Sequence, residues 1–566
     1  MKSLLFALLC LPAAAAAQSS SQTSEVHDLI VNYRADRGSL ERFYSIPGSA
    51  DRRERLTEMH KDYLAQLEQI PFASISQEGK ADHILFGRQL RDQLHRLETE
   101  GKEAAQVAAF TKFADPLYGW EQKRRRGLHL NGADVAGQLN DIDKSLRAFL
   151  PTLDKQPKLT QPLAARAESI VRGQRQALKS VYDFYNHYDP EFGWWTTRPY
   201  QKLDSTLVEY AGRLKKHVDP ATQPKDDGSG IIGNPIGRNE LIRLLELEMI
   251  PYTPEELIDI ANKEFAWCDA ELLRASREMG FGEDWKKAQE KVKMSFVPPG
   301  KQPEAMLDLY NQSIDFLKKN DLITIPPIAE ETWRMSMIEP KRQLISPFFL
   351  GGEVLQISYP TEEMNHDDKL MSMRGNNPHF SRATVHHELI AGHHLQGFMN
   401  ERFRAYREFW TPFWTEGWAL YWEFILWDIG FPRGPEDRIG MLFWRMHRCA
   451  RIIFSLNYHL GKWTPRQCID FLVDRVGHER ANAEGEVRRS FTGNYGPLYQ
   501  LAYMVGALQF YALKKELVGS GKMTYKQYHD AVMQENSMPV EMVRALLTNQ
   551  SLQEDFRTTW RFYPGK

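Results

Sequence analysis

The stretch from Thr411 to Phe431, TPFWTEGWALYWEFILWDIGF, restricts the architecture more than any other part of the chain. Thr411 suits an N-cap, Pro412 the first helical position and Gly430 the stop. Trp410, Trp414, Trp418 and Trp422 follow at four-residue spacing, an arc of roughly 120° on a helix. The remaining positions are also mostly apolar, and a helix apolar all round must be buried. Other helices must therefore surround it. Glu416 and Glu423, seven residues apart, fall nearly opposite the tryptophans. Two carboxylates on a buried helix are costly unless charged partners or a metal compensate.

Helix signals recur elsewhere. TPEEL at Thr253 has a capping threonine, a proline and acids in the first turn. TPRQ at Thr464 and TYKQ at Thr524 read as capping boxes. The fold class expected is mainly α: a large multi-helix body with a deep active-site cleft. A β-prone segment, Leu344 to Pro360, carries Gly351-Gly352 between two apolar runs and predicts a small hairpin or sheet beside the motif helix.

Residues 1–17 have the layout of a secretory signal peptide, so an exported protein, periplasmic or secreted, is expected. The Pro-, Gly- and Asp-rich stretch Asp219 to Arg238 suggests a boundary. It would separate an N-terminal helical lobe, 18–225, from a C-terminal catalytic helical lobe, 226–566; the alternative is one continuous domain. Lys plus Arg is 72 and Asp plus Glu is 74, a balance that gives no sign of a nucleic-acid partner. No apolar run after the leader is long enough to span a membrane. Cys268, Cys449 and Cys468 are too few for a disulfide framework and read as buried thiols, with Cys449–Cys468 the pair open to oxidation.

The segment HHELIAGHHLQ, His386 to Gln396, packs four of the chain's 17 histidines into nine residues around Glu388. A catalytic zinc needs three protein ligands, an open position and a nearby carboxylate base. The familiar arrangement is H-E-x-x-H on one helical face. Here the residue four after His387 is Ala391. His393, at plus six, would lie roughly 240° around a regular helix and about 9 Å along it. Gly392 offers a break or bulge that returns His393 to His387. Glu416 then suits a third ligand from the next helix. His387, His393 and Glu416 are the expected metal ligands, Glu388 the general base, and Zn2+ the ion this donor set favours. His394 is the alternative to His393. His386 and Glu423 are candidates for supporting positions around the ligands, with Glu423 orienting a histidine.

HELIAGHHLQ and EGWALYWE resemble the paired signatures of the bacterial "domain of unknown function 885" family, H-E-x-x-P-G-H-H-L-Q and E-G-W-A-L-Y-x-E. The resemblance is clear over about residues 230–515 and weak further upstream, with looser matches such as GPLYQLAYMVG from Gly496. Ala391 replaces the family proline, and Tyr499-Gln500 replace a Gln-Ala pair. The resemblance implies a largely helical zinc metallopeptidase, distantly similar to thimet-oligopeptidase-like and Taq-carboxypeptidase-like enzymes, with a peptide as substrate. On that reading Tyr503 is the candidate oxyanion donor and His459 a second one. Arg489 is the candidate ligand for a substrate carboxylate. The alternatives are a metal-dependent hydrolase of a non-peptide amide or ester, and a catalytically inactive binding protein on the same fold.

Overall fold

In a computed structural model of the chain, the described residues are 24–564 apart from 223–224, 344–347, 349 and 494. The leader-like segment 1–17 lies outside them. The described chain is mainly helical, as its sequence predicts, with one two-stranded sheet. No described helix is long and apolar enough to cross a membrane.

The Pro412–Asp428 helix lies at the centre. Thr411 caps it by accepting from the Phe413 amide, and Gly430 closes it with φ +85°. Trp414, Trp418 and Trp422 are completely buried, whereas Trp410 precedes the helix and is 63% exposed. Each buried tryptophan removes roughly 200 Å² from water, a gross gain on the order of 5 kcal/mol. Three of them outweigh the several kcal/mol charged for each buried carboxylate on the same helix.

The Tyr499–Leu517 helix runs along this one, and the Pro378–Glu388 and His393–Asn400 helices pack beside it. Approach to Tyr499–Leu517 is close because glycine faces glycine. A Cβ on Gly417 would sit 2.5 Å from Gly506 Cα, and one on Gly506 would sit 2.1 Å from the Phe413 carbonyl oxygen. The 25-residue Pro435–His459 helix spans the body, buried at almost every position from Ile439 onward, and crosses the Pro254–Glu278, Pro378–Glu388 and Tyr499–Leu517 helices. Thr253, Thr464 and Thr524 all form complete capping boxes.

Two apolar cores are present among the described residues. One collects residues of 107–218 with Ile46, on the Gly132–Phe149, Gln161–Asn186 and Pro190–Lys216 helices. The other joins residues 26–97 to residues 231–562. The first three long helices of the expected N-terminal lobe thus help to wall the motif-bearing core. Among its described residues the Asp219–Arg238 stretch carries no helix before Gly237, and it anchors Ile231 in that larger core.

The sheet differs in detail from a hairpin. Strand β1, Arg334–Met337, pairs in parallel with β2, Val354–Ile357. The chain does reverse at Gly351-Gly352, but through a single antiparallel bridge between Leu350 and Gln356. The Gly352 amide donates to the Glu388 carbonyl at 3.1 Å, which fixes this reversal against the end of the motif helix. Cys268, Cys449 and Cys468 are free and buried; Cys468 Sγ faces the Phe454 carbonyl at 3.7 Å.

Candidate metal centre

The histidine motif is two helices, not one. Pro378–Glu388 ends at the glutamate, Leu389 to Gly392 form a turn, and His393–Asn400 begins a new helix. Gly392 sits where no side chain fits: a Cβ there would lie 1.8 Å from the His387 carbonyl oxygen. Its φ is -91°, so the demand is for space, not for a left-handed backbone. Trp418 Nε1 donates to the Ala391 carbonyl at 2.9 Å, tying the turn to the tryptophan helix.

The turn places His393 beside His387, with ring centres 4.9 Å apart. Glu416 Oε2 is 3.2 Å from His393 Nε2 and 3.6 Å from His387 Nε2. Ligand atoms of the three lie within 4.8 Å of one another, and they are the one such His/Cys/Asp/Glu group among the described residues. Both outer nitrogens are taken: His387 Nδ1 meets Glu423 Oε1 at 2.9 Å, and His393 Nδ1 meets Gln396 Oε1 at 3.1 Å. Gln396 is itself held by donating to the Thr415 carbonyl at 3.1 Å. A carboxylate or amide behind each imidazole leaves both Nε2 atoms turned inward, the arrangement that metal-binding histidines require.

Glu416 draws protons toward both imidazoles. Burial opposes a charge on His387, yet its hydrogen bonds to Glu416 and Glu423 push it up to about 9. Glu416 is fully buried, and the two histidines nonetheless hold it well below the usual carboxylate range. Its Oε2 faces the two Nε2 atoms, while Tyr499 donates to its Oε1. Two neutral imidazoles and one carboxylate with converging lone pairs fit a tetrahedral divalent ion with an open fourth position.

Glu388 follows His387 directly and faces the same cavity, about 290 Å³ in volume. Burial raises its carboxyl above the ordinary range, partly offset by His387 and His393. Tyr503 also lines the cavity, its ring nearly parallel to His387 at 6.2 Å. Arg489 lines it too, 3.5 Å from Glu486.

Three expectations are corrected. His394 turns the other way, its Nε2 bonded to the Ala329 carbonyl at 2.6 Å, so it is no alternative to His393. His386 is buried against Phe431, and burial lowers it to about 3; neither ring nitrogen has a partner, and it does not reach the ligands. His459 lies outside the cavity lining, packed on Tyr458 and Phe491, and burial lowers it to about 4. Glu423 stands behind His387, 2.9 Å from its Nδ1.

Residues that sequence reasoning missed also face the cavity. Arg448 and Arg451 project from the Pro435–His459 helix, their guanidinium carbons 5.2 and 4.4 Å from the Tyr503 ring centre. Their signal was present: arginines at 445, 448 and 451, spaced for one face of an otherwise apolar helix.

A search among functionally curated proteins returns no match. Among solved structures, a "putative lipoprotein of unknown function" from Shewanella oneidensis superposes with a TM-score of 0.65 at 16% identity, covering 92% of this chain and 99% of that one. A "putative lipoprotein" from Colwellia psychrerythraea gives 0.58 at 13% identity, covering 93% and 98%. At such identities the likeness establishes the fold alone. The family described as "Bacterial protein of unknown function (DUF885)" matches residues 47–547, and with the signature residues gathered at one buried centre the chain belongs to that family.

Proposed function

We propose that the protein is an exported zinc-dependent peptidase. One observation carries the reading: His387, His393 and Glu416 converge within 4.8 Å, and Glu388 opens onto the same cavity. A binding-only centre has no need of that second carboxylate. The ion would supply Lewis-acid polarisation of a scissile carbonyl. Glu388 accepts a proton from the attacking water and returns it to the departing amine. Its raised affinity for protons suits both transfers. The Tyr503 hydroxyl donates to the oxyanion that forms on the carbonyl. Tyr499 and Glu423 hold Glu416 and His387 in place through the hydrogen bonds described above. The leader-like segment 1–17 and the lipoprotein titles of both structural relatives support export.

The test is the metal content of purified protein, together with mass-spectrometric products from a mixed peptide library and a parallel panel of esters and lactams. One zinc per chain and chelator-sensitive peptide cleavage are expected. Turnover of esters or lactams alone would replace this reading with a non-peptide hydrolase. No turnover of either would leave a binding protein.

A further inference from the structure

The cavity holds more positive charge than its carboxylates need. Arg448, Arg451 and Arg489 all line it, with side chains only 5, 5 and 10% exposed. Their compensation is thin. Glu486 serves two of them, at 2.7 Å from Arg451 and 3.5 Å from Arg489. Arg448 has Glu423 at 3.7 Å, which already bonds His387. Arg448 Nε, Arg451 Nη1 and Arg489 Nε have no hydrogen-bond partner. Buried guanidinium donors left open cost several kcal/mol unless an anion meets them. The planar fork of arginine matches a carboxylate.

We propose that Arg448, Arg451 and Arg489 form a subsite for the C-terminal α-carboxylate of a short peptide. The proposal rests on the peptidase reading and makes the enzyme one that removes one or two residues from a free C-terminus. Spacing sets that number. Arg451 lies 4.4 Å from the Tyr503 ring centre, and that ring lies 6.2 Å from His387. The two distances sum to at most 10.6 Å, of which the arginine–carboxylate contact takes roughly 4 Å, so at about 3.5 Å per extended residue no more than two residues fit between the arginines and a carbonyl at the histidines. The edge formed by Leu350, Gly351 and Gln356, where Gly351 abuts Glu388, receives the rest of the peptide. A volume of about 290 Å³ is at the small end for ligand sites and suits a chain end.

The test is calorimetric binding to zinc-loaded Glu388→Gln protein, which needs no turnover. The probes are N-acetyl-Gly-Phe, its C-terminal amide, and N-acetyl-Gly-Asp amide. The free acid is expected to bind at least about tenfold more tightly than either amide, the worth of one charged hydrogen bond. Arg489→Gln in the same background should erase the difference. Should that variant not fold, Arg451→Lys, which keeps the charge and loses the fork, should reduce it. Equal binding of acid and amide would overturn the subsite. Binding of the Asp amide as tight as the free acid would overturn the terminal assignment in favour of an acidic side chain. Acid preference without any cleavage by the unsubstituted protein would overturn the peptidase reading and leave the subsite standing.

Discussion

Glu423 Oε1 lies 2.9 Å from His387 Nδ1, two helical turns from the Glu416 carboxylate that faces the other nitrogen of the same ring. One buried helix thus holds a histidine from both sides. Glu423→Gln keeps the shape and removes the charge that fixes the tautomer. Zinc affinity, measured by competition with a chromophoric chelator, should fall about 10- to 100-fold. Unchanged affinity would contradict the orienting role.

The two adjacent histidines of the motif should behave differently. His393→Ala should lose stoichiometric zinc. His394→Ala should retain it, because that ring is spent on the Ala329 carbonyl. Metal analysis of the two purified variants decides the point, and the opposite pattern would refute the ligand set.

Gly506→Ala should be destabilising despite the small change. The new methyl would meet the Phe413 carbonyl oxygen at 2.1 Å, inside the contact that carries both Glu416 and Tyr503. Overpacking of this kind costs about 1–3 kcal/mol, and backbone contact puts it at the upper end. Thermal unfolding reads it directly. Gly519→Ala, which is on the same connection beyond the helix, makes a poor control because it too meets backbone; Gly212→Ala, in an exposed helical turn with nothing within 4 Å, should leave the midpoint unchanged or raise it.

Acid should weaken the fold through its buried histidines. Burial lowers His459 to about 4 and His478 and His529 to about 3. Unfolded, each would titrate near 6.5. Between those values the unfolded chain binds more protons, so stability falls as pH falls from about 6.5 toward 4. The slope is about 1.4 kcal/mol per pH unit for each histidine once fully protonated in the unfolded state. Unfolding midpoints at constant ionic strength should drop across that window; a flat profile would contradict the buried neutral state of these rings.

Much of the architecture could be read from residue types. The all-round apolar helix demanded burial, and its capping threonine, proline and terminal glycine marked both ends. The capping boxes at Thr464 and Thr524 formed as spelled. Gly392 was legible as a break, because plus-six spacing cannot place two ligands on one helical face. What it does there was not legible: the constraint is a carbonyl 1.8 Å from its missing Cβ, which only the folded turn reveals. His393 and His394 could not be separated by spacing, since the Ala329 carbonyl that claims His394 comes from 65 residues away. The strand pairing was hidden for the same reason, as β2 finds its partner at Arg334–Met337 and not across the Gly351-Gly352 turn.

The most direct test of the central claim is the rate of peptide cleavage by Glu388→Gln compared with the unsubstituted protein, both assayed for zinc in the same preparation. The substitution leaves His387, His393 and Glu416 in place and removes only the proton acceptor. The account predicts full zinc content with cleavage reduced about 10²- to 10⁴-fold. Undiminished cleavage by the zinc-replete variant would contradict it.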